Sequence, residues 1–118
     1  SKLFLNNNIH KFYMAITKKE FKKNTGLLTN INNQNKNLKL LYRKINLNKI
    51  KNLYIIKLLT GKKHQIRLQF YLNNNPIIGD KKFDKETKSS LMLLSFSINF
   101  IYENNFYKFK LKKDEIFQ

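Results

Sequence analysis

The sequence contains no cysteine, one proline, three glycines and only seven acidic residues. Without cysteine there can be no disulfide framework and no thiolate metal site. The two histidines, His10 and His64, have no acidic cluster near them in the chain, so we expect neither a metal nor a cofactor. No apolar run approaches the roughly 20 residues that a membrane-spanning helix needs, and no segment has the layout of a signal peptide, so we expect no membrane partner.

Basic residues are abundant. Lysine and arginine number 24, which gives a net charge of +17 over 118 residues. This charge favours a polyanion as partner, and RNA, DNA and an acidic membrane surface all satisfy it. Codon bias in an AT-rich genome, also indicated by asparagine runs at residues 6–8 and 73–75, is the alternative cause of the lysine excess. With 42% hydrophobic residues, the chain is one domain or part of one, with a real core.

Arg67 is the only formal charge between His64 and Gly79, in a stretch rich in apolar residues. A guanidinium in such a place requires a carboxylate or phosphate partner, because an unpaired buried ion costs several kcal/mol. Of the basic residues only Arg43 and Arg67 are arginine, so arginine here indicates a planar two-point contact that lysine cannot make. A chance arginine on a helix is the alternative.

Several segments alternate between apolar and polar residues with a period of two, which predicts half-buried strands. They are residues 11–17, 38–45, 53–59, 92–100 and 107–111. The second and third segments are expected to pair, and the last two to form a hairpin through a turn at residues 103–105.

The first strand, residues 11–17, has two unequal faces. Phe12, Met14 and Ile16 alternate on one face, which the pattern predicts to be the main apolar face. Tyr13 lies on the other face, so we expect it to point away from the core.

One convincing helix follows the third strand. Thr60 is expected to cap a helix that opens near Lys62 and runs to about Leu72, where three asparagines and Pro76 end it. A second helix is expected to end within residues 1–5.

Residues 18–37, rich in lysine and asparagine, are predicted to be a long excursion with a short strand near Leu27 and Leu28. Residues 81–90 are expected to form a polar loop. The predicted class is therefore α+β, a mixed but mainly antiparallel sheet with one prominent packed helix.

Two separated motifs carry a family resemblance. Residues 60–67, TGKKHQIR, followed by residues 76–80, PIIGD, resemble the TGRxHQIR and PIxGD signature of the RluA-type pseudouridine synthases. Residues 11–15, KFYMA, are similar to the KxYxA strand of that family. The resemblance covers most of the chain apart from residues 18–37 and the last few residues, and it implies part of the pseudouridine synthase catalytic fold.

The resemblance implies that the chain takes part in isomerising uridine to pseudouridine within RNA, on a base that leaves its stack. Arg67 matches the arginine that pairs with the catalytic aspartate, and Tyr13 matches the tyrosine that stacks on the base. The residues expected to shape the motif are Thr60, Gly61, His64, Gln65, Ile66, Pro76, Gly79 and Asp80. The residues expected to contact RNA phosphates are Lys11, Lys18, Lys19, Lys62 and Lys63.

The sequence also departs from the family pattern. The nucleophilic aspartate of the family sits in an HRLDxxTSG motif before KxYxA, and nothing like it occurs in these 118 residues. Lys62 stands where an arginine is usual, Phe83 where a tyrosine is usual, and Leu94 where a histidine is usual. We therefore expect residues 1–118 to be a partial catalytic domain, inactive by itself, whose partner is the missing N-terminal part.

Three functional interpretations follow. The chain is the C-terminal part of a pseudouridine synthase acting on rRNA or tRNA, or an inactive synthase-like RNA-binding protein, such as a structural component of an organellar ribosome. The third is a basic RNA-binding module unrelated to the synthases. An intracellular location is expected, in a mitochondrion or plastid or else in the cytoplasm or nucleus.

Overall fold

A computed structural model describes the backbone of residues 9–101 and 106–111 and the side chains of residues 12–95. The elements in chain order are β1 (Ile9–Ile16), β2 (Thr25–Ile31), β3 (Asn37–Leu47), β4 (Ile50–Leu58), α1 (Gln65–Leu72), β5 (Leu93–Ile101) and β6 (Phe106–Leu111). The six strands form one sheet in the order β2-β3-β4-β1-β5-β6, and every pairing between these described strands is antiparallel. The α+β class, with a mainly antiparallel sheet and one packed helix, is confirmed. The helix expected in residues 1–5 and the turn expected at 103–105 lie outside the described residues.

The two predicted strand pairs are present in the sheet. β3 and β4 form a hairpin in which Tyr42 lies opposite Ile56, and Asn48 between them adopts a left-handed backbone with φ 53°. β5 and β6 pair from Phe96 with Leu111 to Ile101 with Phe106. Asparagine tolerates the left-handed conformation better than most residues, which explains its use at the tight connection.

The prediction for residues 18–37 understated the regular structure. Instead of a short strand near two leucines, β2 is a strand of seven residues, paired with β3 from Thr25 to Ile31. Leu28 is buried whereas Leu27 is 53% exposed, so the strand does alternate. Glycine at position 26 and asparagine at position 30 occupy the other inward positions, and for that reason the apolar pattern does not show the strand.

The core lies between one face of the sheet and α1. Phe70 of the helix is fully buried and meets Phe21 at a centroid distance of 5.2 Å and Tyr54 at 6.1 Å. Phe21 also contacts Tyr42 at 4.4 Å, and its backbone N–H donates to the Tyr54 hydroxyl at 2.9 Å. Each such ring pair contributes about 0.5–1.5 kcal/mol beyond its buried area, so this cluster fixes the position of the helix.

The prediction that Tyr13 points away from the core was wrong. Ala15, two residues further along β1, is fully buried, and Thr17 beyond it is 2% exposed, so this face of the strand is the one that packs against the helix. Tyr13 packs against the edge of the same core. Ala15 lies between Tyr54 and Leu93 in the sheet, where only a small side chain is needed. The larger residues on the opposite face are half-buried as well, and apolarity alone therefore does not identify the core side of this strand.

The start of the helix also differs from the prediction. α1 begins at Gln65, three residues after Lys62, and its N-cap is His64, in a left-handed conformation with φ 54° and without a capping side chain. Thr60 is not the cap. Its hydroxyl accepts a hydrogen bond from the backbone N–H of Lys39 and donates to the side-chain oxygen of Gln65, both at 2.9 Å. The threonine therefore ties the loop before the helix to β3.

Two glutamines fasten α1 to the β2–β3 hairpin. The amide nitrogen of Gln65 donates to the carbonyl of Lys39 at 3.0 Å and to the side-chain oxygen of Gln69 at 2.9 Å. The amide nitrogen of Gln69, which is fully buried, lies 3.1 Å from the carbonyls of Leu28 and Leu38. Buried polar groups are costly unless paired, so these amides determine how the hairpin docks on the helix. No helix among the described residues is long and apolar enough to cross a membrane.

Candidate active site

Arg67 has a carboxylate partner within the chain, Asp80. Its Nε donates to Oδ2 at 3.0 Å and its Nη2 donates to Oδ1 at 2.7 Å. The Asp80 side chain is fully buried, and 19% of the Arg67 side chain is exposed. The hydrogen bond from the guanidinium to Asp80 raises the pKa of Arg67, so the group is a permanent cation. The need for a carboxylate that the sequence indicated is met by this two-point contact.

Sequence reasoning listed Asp80 only among the residues that shape the motif, and it missed the contact of Asp80 with Arg67. The two residues are 13 positions apart, beyond the reach of helical spacing arguments. A signal was nevertheless present, because Asp80 is the only acidic residue between Glu20 and Asp84. The sole candidate carboxylate in the middle of the chain could have been assigned to the isolated arginine.

The turn at residues 77–80 positions this carboxylate. The backbone N–H of Ile78 donates to the carbonyl of Ile16 at 2.9 Å, which docks the segment on the end of β1. Gly79 has φ 84°, and a Cβ there would overlap the carbonyl of Ser90. Glycine is therefore required both by conformation and by space. Asp80 follows directly and is held in place by the backbone N–H of Lys82, which donates to Oδ1 at 3.2 Å.

Tyr13 and Arg67 line the same cavity, which has a volume of about 140 Å³. Lys62 and His64 from the loop before α1 also line it, as does Leu93 at the start of β5. The structure therefore brings together the two residues to which the resemblance assigns catalytic roles. The roles themselves stay a prediction.

The surroundings of His64 are positively charged. Burial lowers the pKa of His64 from its usual value, and the nearby cations of Arg67, Lys82 and Lys63 lower it further, whereas Asp80 acts in the opposite direction. His64 is therefore neutral at neutral pH and its ring has one N–H donor and one acceptor. The cations around it favour an anion in this part of the molecule.

The lysines expected to bind RNA are not brought to one place. Lys62 and Lys63 are exposed on the loop beside the cavity, whereas Lys18 and Lys19 line a separate cavity of about 440 Å³ together with Lys44. The side chain of Lys11 lies outside the described part of the chain. Among the described residues, no group of three His, Cys, Asp or Glu side chains could hold a metal ion.

Comparison with known proteins supports the resemblance in both sequence and fold. No protein-family model matches the chain. A protein of Mycoplasma capricolum subsp. capricolum that is described as an uncharacterized RNA pseudouridine synthase is 45% identical over 53 residues, which are 42% of this chain and 18% of the relative. Human RNA Pseudouridylate Synthase Domain Containing 1 superposes with a TM-score of 0.63 over 94% of this chain, at 13% identity. The chain is similar to the pseudouridine synthases.

The extent of this similarity differs between the two relatives. The match covers less than a fifth of the Mycoplasma protein and 57% of the human chain. The human protein shares the fold of this chain. At 13% identity over the superposed region, this likeness shows the fold alone. The structural similarity to a pseudouridylate synthase domain therefore extends over 94% of this chain, whereas the sequence similarity extends over 42% of it.

Proposed function

We propose that this chain is the C-terminal part of an RluA-type RNA pseudouridine synthase catalytic domain, and that it contributes the cavity in which a uridine is isomerised. The observation that carries the proposal is that Tyr13 and Arg67 line one cavity while Arg67 is already fixed by a buried carboxylate. The motifs at residues 60–67 and 76–80 support it, as do the two relatives.

Arg67 is suited to hold a second anion in the cavity. A guanidinium has five N–H donors, and Asp80 takes one from Nε and one from Nη2. The other three donors have no partner among the residues whose side chains the structure describes, and part of the Arg67 side chain is exposed and lines the cavity. We assign these donors to the nucleophilic aspartate that the family motif supplies from outside these residues. In this scheme Asp80 orients the guanidinium and the guanidinium orients the nucleophile.

Tyr13 is suited to contact the base. It is half-buried on β1 and lines the cavity beside Leu93, so its ring is supported on the protein side. The isomerisation breaks the bond between N1 of uracil and C1′ of ribose and forms the bond between C5 and C1′, while the C5 proton is lost and N1 gains one. A stacked ring would hold the detached base while it turns, and the phenol would lie close to the proton being removed.

The second candidate is an RNA-binding protein of the same fold without catalysis. It is favoured by lysine, phenylalanine and leucine at positions 62, 83 and 94 in place of the usual family residues. The net charge of +17 supplies the electrostatic part of RNA binding in either case. An rRNA or tRNA in the cytoplasm, nucleus, mitochondrion or plastid is the proposed ligand.

Release of tritium from RNA labelled at C5 of uridine distinguishes the two candidates. We expect none from the 118-residue chain, because Arg67 and Tyr13 position groups but do not attack the ribose. A longer product of the same gene should release tritium if its additional residues supply the nucleophile. In that product, Tyr13→Phe or Arg67→Lys should slow the release of tritium. Release by the 118 residues alone would show that another acid acts as the nucleophile, and no release by the longer product would favour the binding protein.

A further inference from the structure

A second and larger cavity lies on the other side of the loop before α1. This groove has a volume of about 620 Å³, within the range of about 300–1,000 Å³ typical of ligand sites. One wall is the β2–β3 turn at residues 31–34, the floor is the helix face of Leu68 and Leu72, and the other wall is formed by residues 62–64 and 82–83. Lys62 and His64 line both this groove and the cavity of Tyr13 and Arg67.

One wall of the groove is fixed relative to its floor. In the turn, the side-chain oxygen of Asn32 accepts hydrogen bonds from the backbone N–H groups of Gln34 and Lys36, both at 2.9 Å. Asn30, just before it, accepts from the side chains of Gln69 and Asn73 at 3.0 and 3.1 Å. The turn is therefore locked to the helix that forms the floor, and the groove does not have to be assembled by its ligand.

The charge of the groove is of one sign. Lys62, Lys63 and Lys82 are all exposed, and no acidic side chain is among the described residues that line it. Lys63 and Lys82 both line the groove, and both lower the pKa of His64, after burial and Arg67. Three cations in one concave space, with no acidic side chain among the described residues that line it, select an anion.

The groove also has an apolar side with an ordered aromatic ring. Phe83 stacks on Tyr71 with a centroid distance of 4.6 Å and an interplanar angle of 19°, and it lines the groove whereas Tyr71 does not. Leu68 and Leu72 add apolar surface, and Leu72 is 44% exposed. Opposite them, Asn33 and Gln34 offer amide groups of the kind that hydrogen-bond base edges.

We propose that this groove binds one nucleotide of a single-stranded RNA, next to the nucleotide that enters the cavity of Tyr13 and Arg67. Lys62, Lys63 and Lys82 hold the flanking phosphates, and the base lies against Phe83. Cations, a supported ring and amides in one preformed space match the three parts of a nucleotide, and combining a cationic track with aromatic platforms is the usual way of holding single strands. The proposal rests on the proposed function in that the ligand is RNA, but it requires no catalysis.

The proposed phosphate contacts are tested by fluorescence anisotropy of a labelled single-stranded RNA of roughly ten uridines, at about 50 and 200 mM salt. We expect the triple replacement of Lys62, Lys63 and Lys82 by alanine to weaken binding about tenfold to a hundredfold and to lower the salt slope by about 1 to 2. The matched control replaces Lys22, Lys49 and Lys88, which are exposed and line none of the three cavities described above. An equal loss in the control triple would overturn the proposal, because binding would then depend on overall charge alone.

The proposed contact between the base and Phe83 is tested with a ribose-phosphate strand of the same length without bases. The unmodified chain should bind the complete RNA roughly fivefold or more tightly than the abasic strand, and Phe83→Leu should remove most of that difference. Equal affinity of the unmodified chain for the two strands would contradict a base site without reference to any variant. Leu47→Ala, at an exposed leucine that lines none of the three cavities, should leave this difference intact. Tritium release is measured separately, so a failure of the proposed catalytic function is distinguishable from a failure of the groove.

Discussion

Arg67 and Asp80 are joined by two hydrogen bonds that run between different pairs of atoms, Nε to Oδ2 and Nη2 to Oδ1. The guanidinium therefore cannot turn about its own axis without losing one of them. Because Asp80 is fully buried next to the turn that follows Pro76, this contact fixes the helix residue relative to the segment from 76 to 80. The two family motifs of the chain meet at this point.

Removing one partner of this pair should destabilise the fold. Arg67→Met leaves a buried carboxylate with only a backbone N–H as partner, and we expect a loss of about 3 kcal/mol in the free energy of unfolding. Arg67→Lys should lose less, because the charge is retained with one contact in place of two. Urea unfolding measures both. Lys63→Met, which removes an exposed cation from the loop before α1, should change the free energy of unfolding by less than about 0.5 kcal/mol. A loss equal to that of Arg67→Met would contradict the importance of the pair.

Replacing Arg67 by lysine should separate RNA binding from catalysis. In this chain, affinity for RNA should be almost unchanged, since the charge is kept and Asp80 remains the closest anion. In a protein that also carries the nucleophile, most of the rate of pseudouridine formation should be lost, because lysine cannot hold Asp80 and a second carboxylate in fixed positions. Filter binding and tritium release measure the two quantities. A large loss of affinity in the short chain would show that Arg67 contacts RNA itself.

The glycines offer a matched pair of alanine substitutions. Gly79→Ala should destabilise the protein by at least about 2 kcal/mol, because φ is 84° and the new methyl group would overlap the backbone of Ser90. Gly61→Ala meets no atom within 4 Å and should change stability by less than about 0.5 kcal/mol. Thermal unfolding of both variants decides the matter, and similar melting temperatures would contradict the turn geometry described for residues 77–80.

The titration of His64 should depend on Lys82. The pKa of His64 lies below its usual value, and removing the Lys82 cation by Lys82→Met should raise it, whereas Lys49→Met should not. In the unmodified protein, the unfolded chain takes up the His64 proton at a higher pH than the folded chain does. Protonation of His64 therefore opposes folding, and folding stability is lost as the pH falls below about 6.5. Histidine NMR signals followed against pH give the pKa directly. An unchanged value in Lys82→Met would place that lysine away from the ring.

The sheet was predictable from the sequence where apolar residues alternate, as in residues 38–45 and 53–59, which form the central hairpin. β2 was predictable only as a short strand near Leu27 and Leu28, since its inward positions hold glycine and asparagine as well as Leu28. A polar inward residue is recognisable only when its partner on the helix is known. The predicted orientation of Tyr13 was wrong for a related reason, because both faces of β1 are at least half-buried over residues 12–16. Arg67 was correctly expected to need a carboxylate or phosphate partner, but that the partner is Asp80 depended on the path of the chain between residues 67 and 80.

The junction between α1 and the β2–β3 hairpin consists of neutral amides, with Gln65 and Gln69 bound to backbone carbonyls and to each other. Uncharged groups of this kind neither titrate between acid and alkaline pH nor lose strength to dissolved ions, unlike the lysines of the groove. The frame that holds the β2–β3 turn against the helix therefore keeps its shape across a salt titration. A change in RNA affinity measured in such a titration will report on the ligand contacts and not on a loosening of the protein.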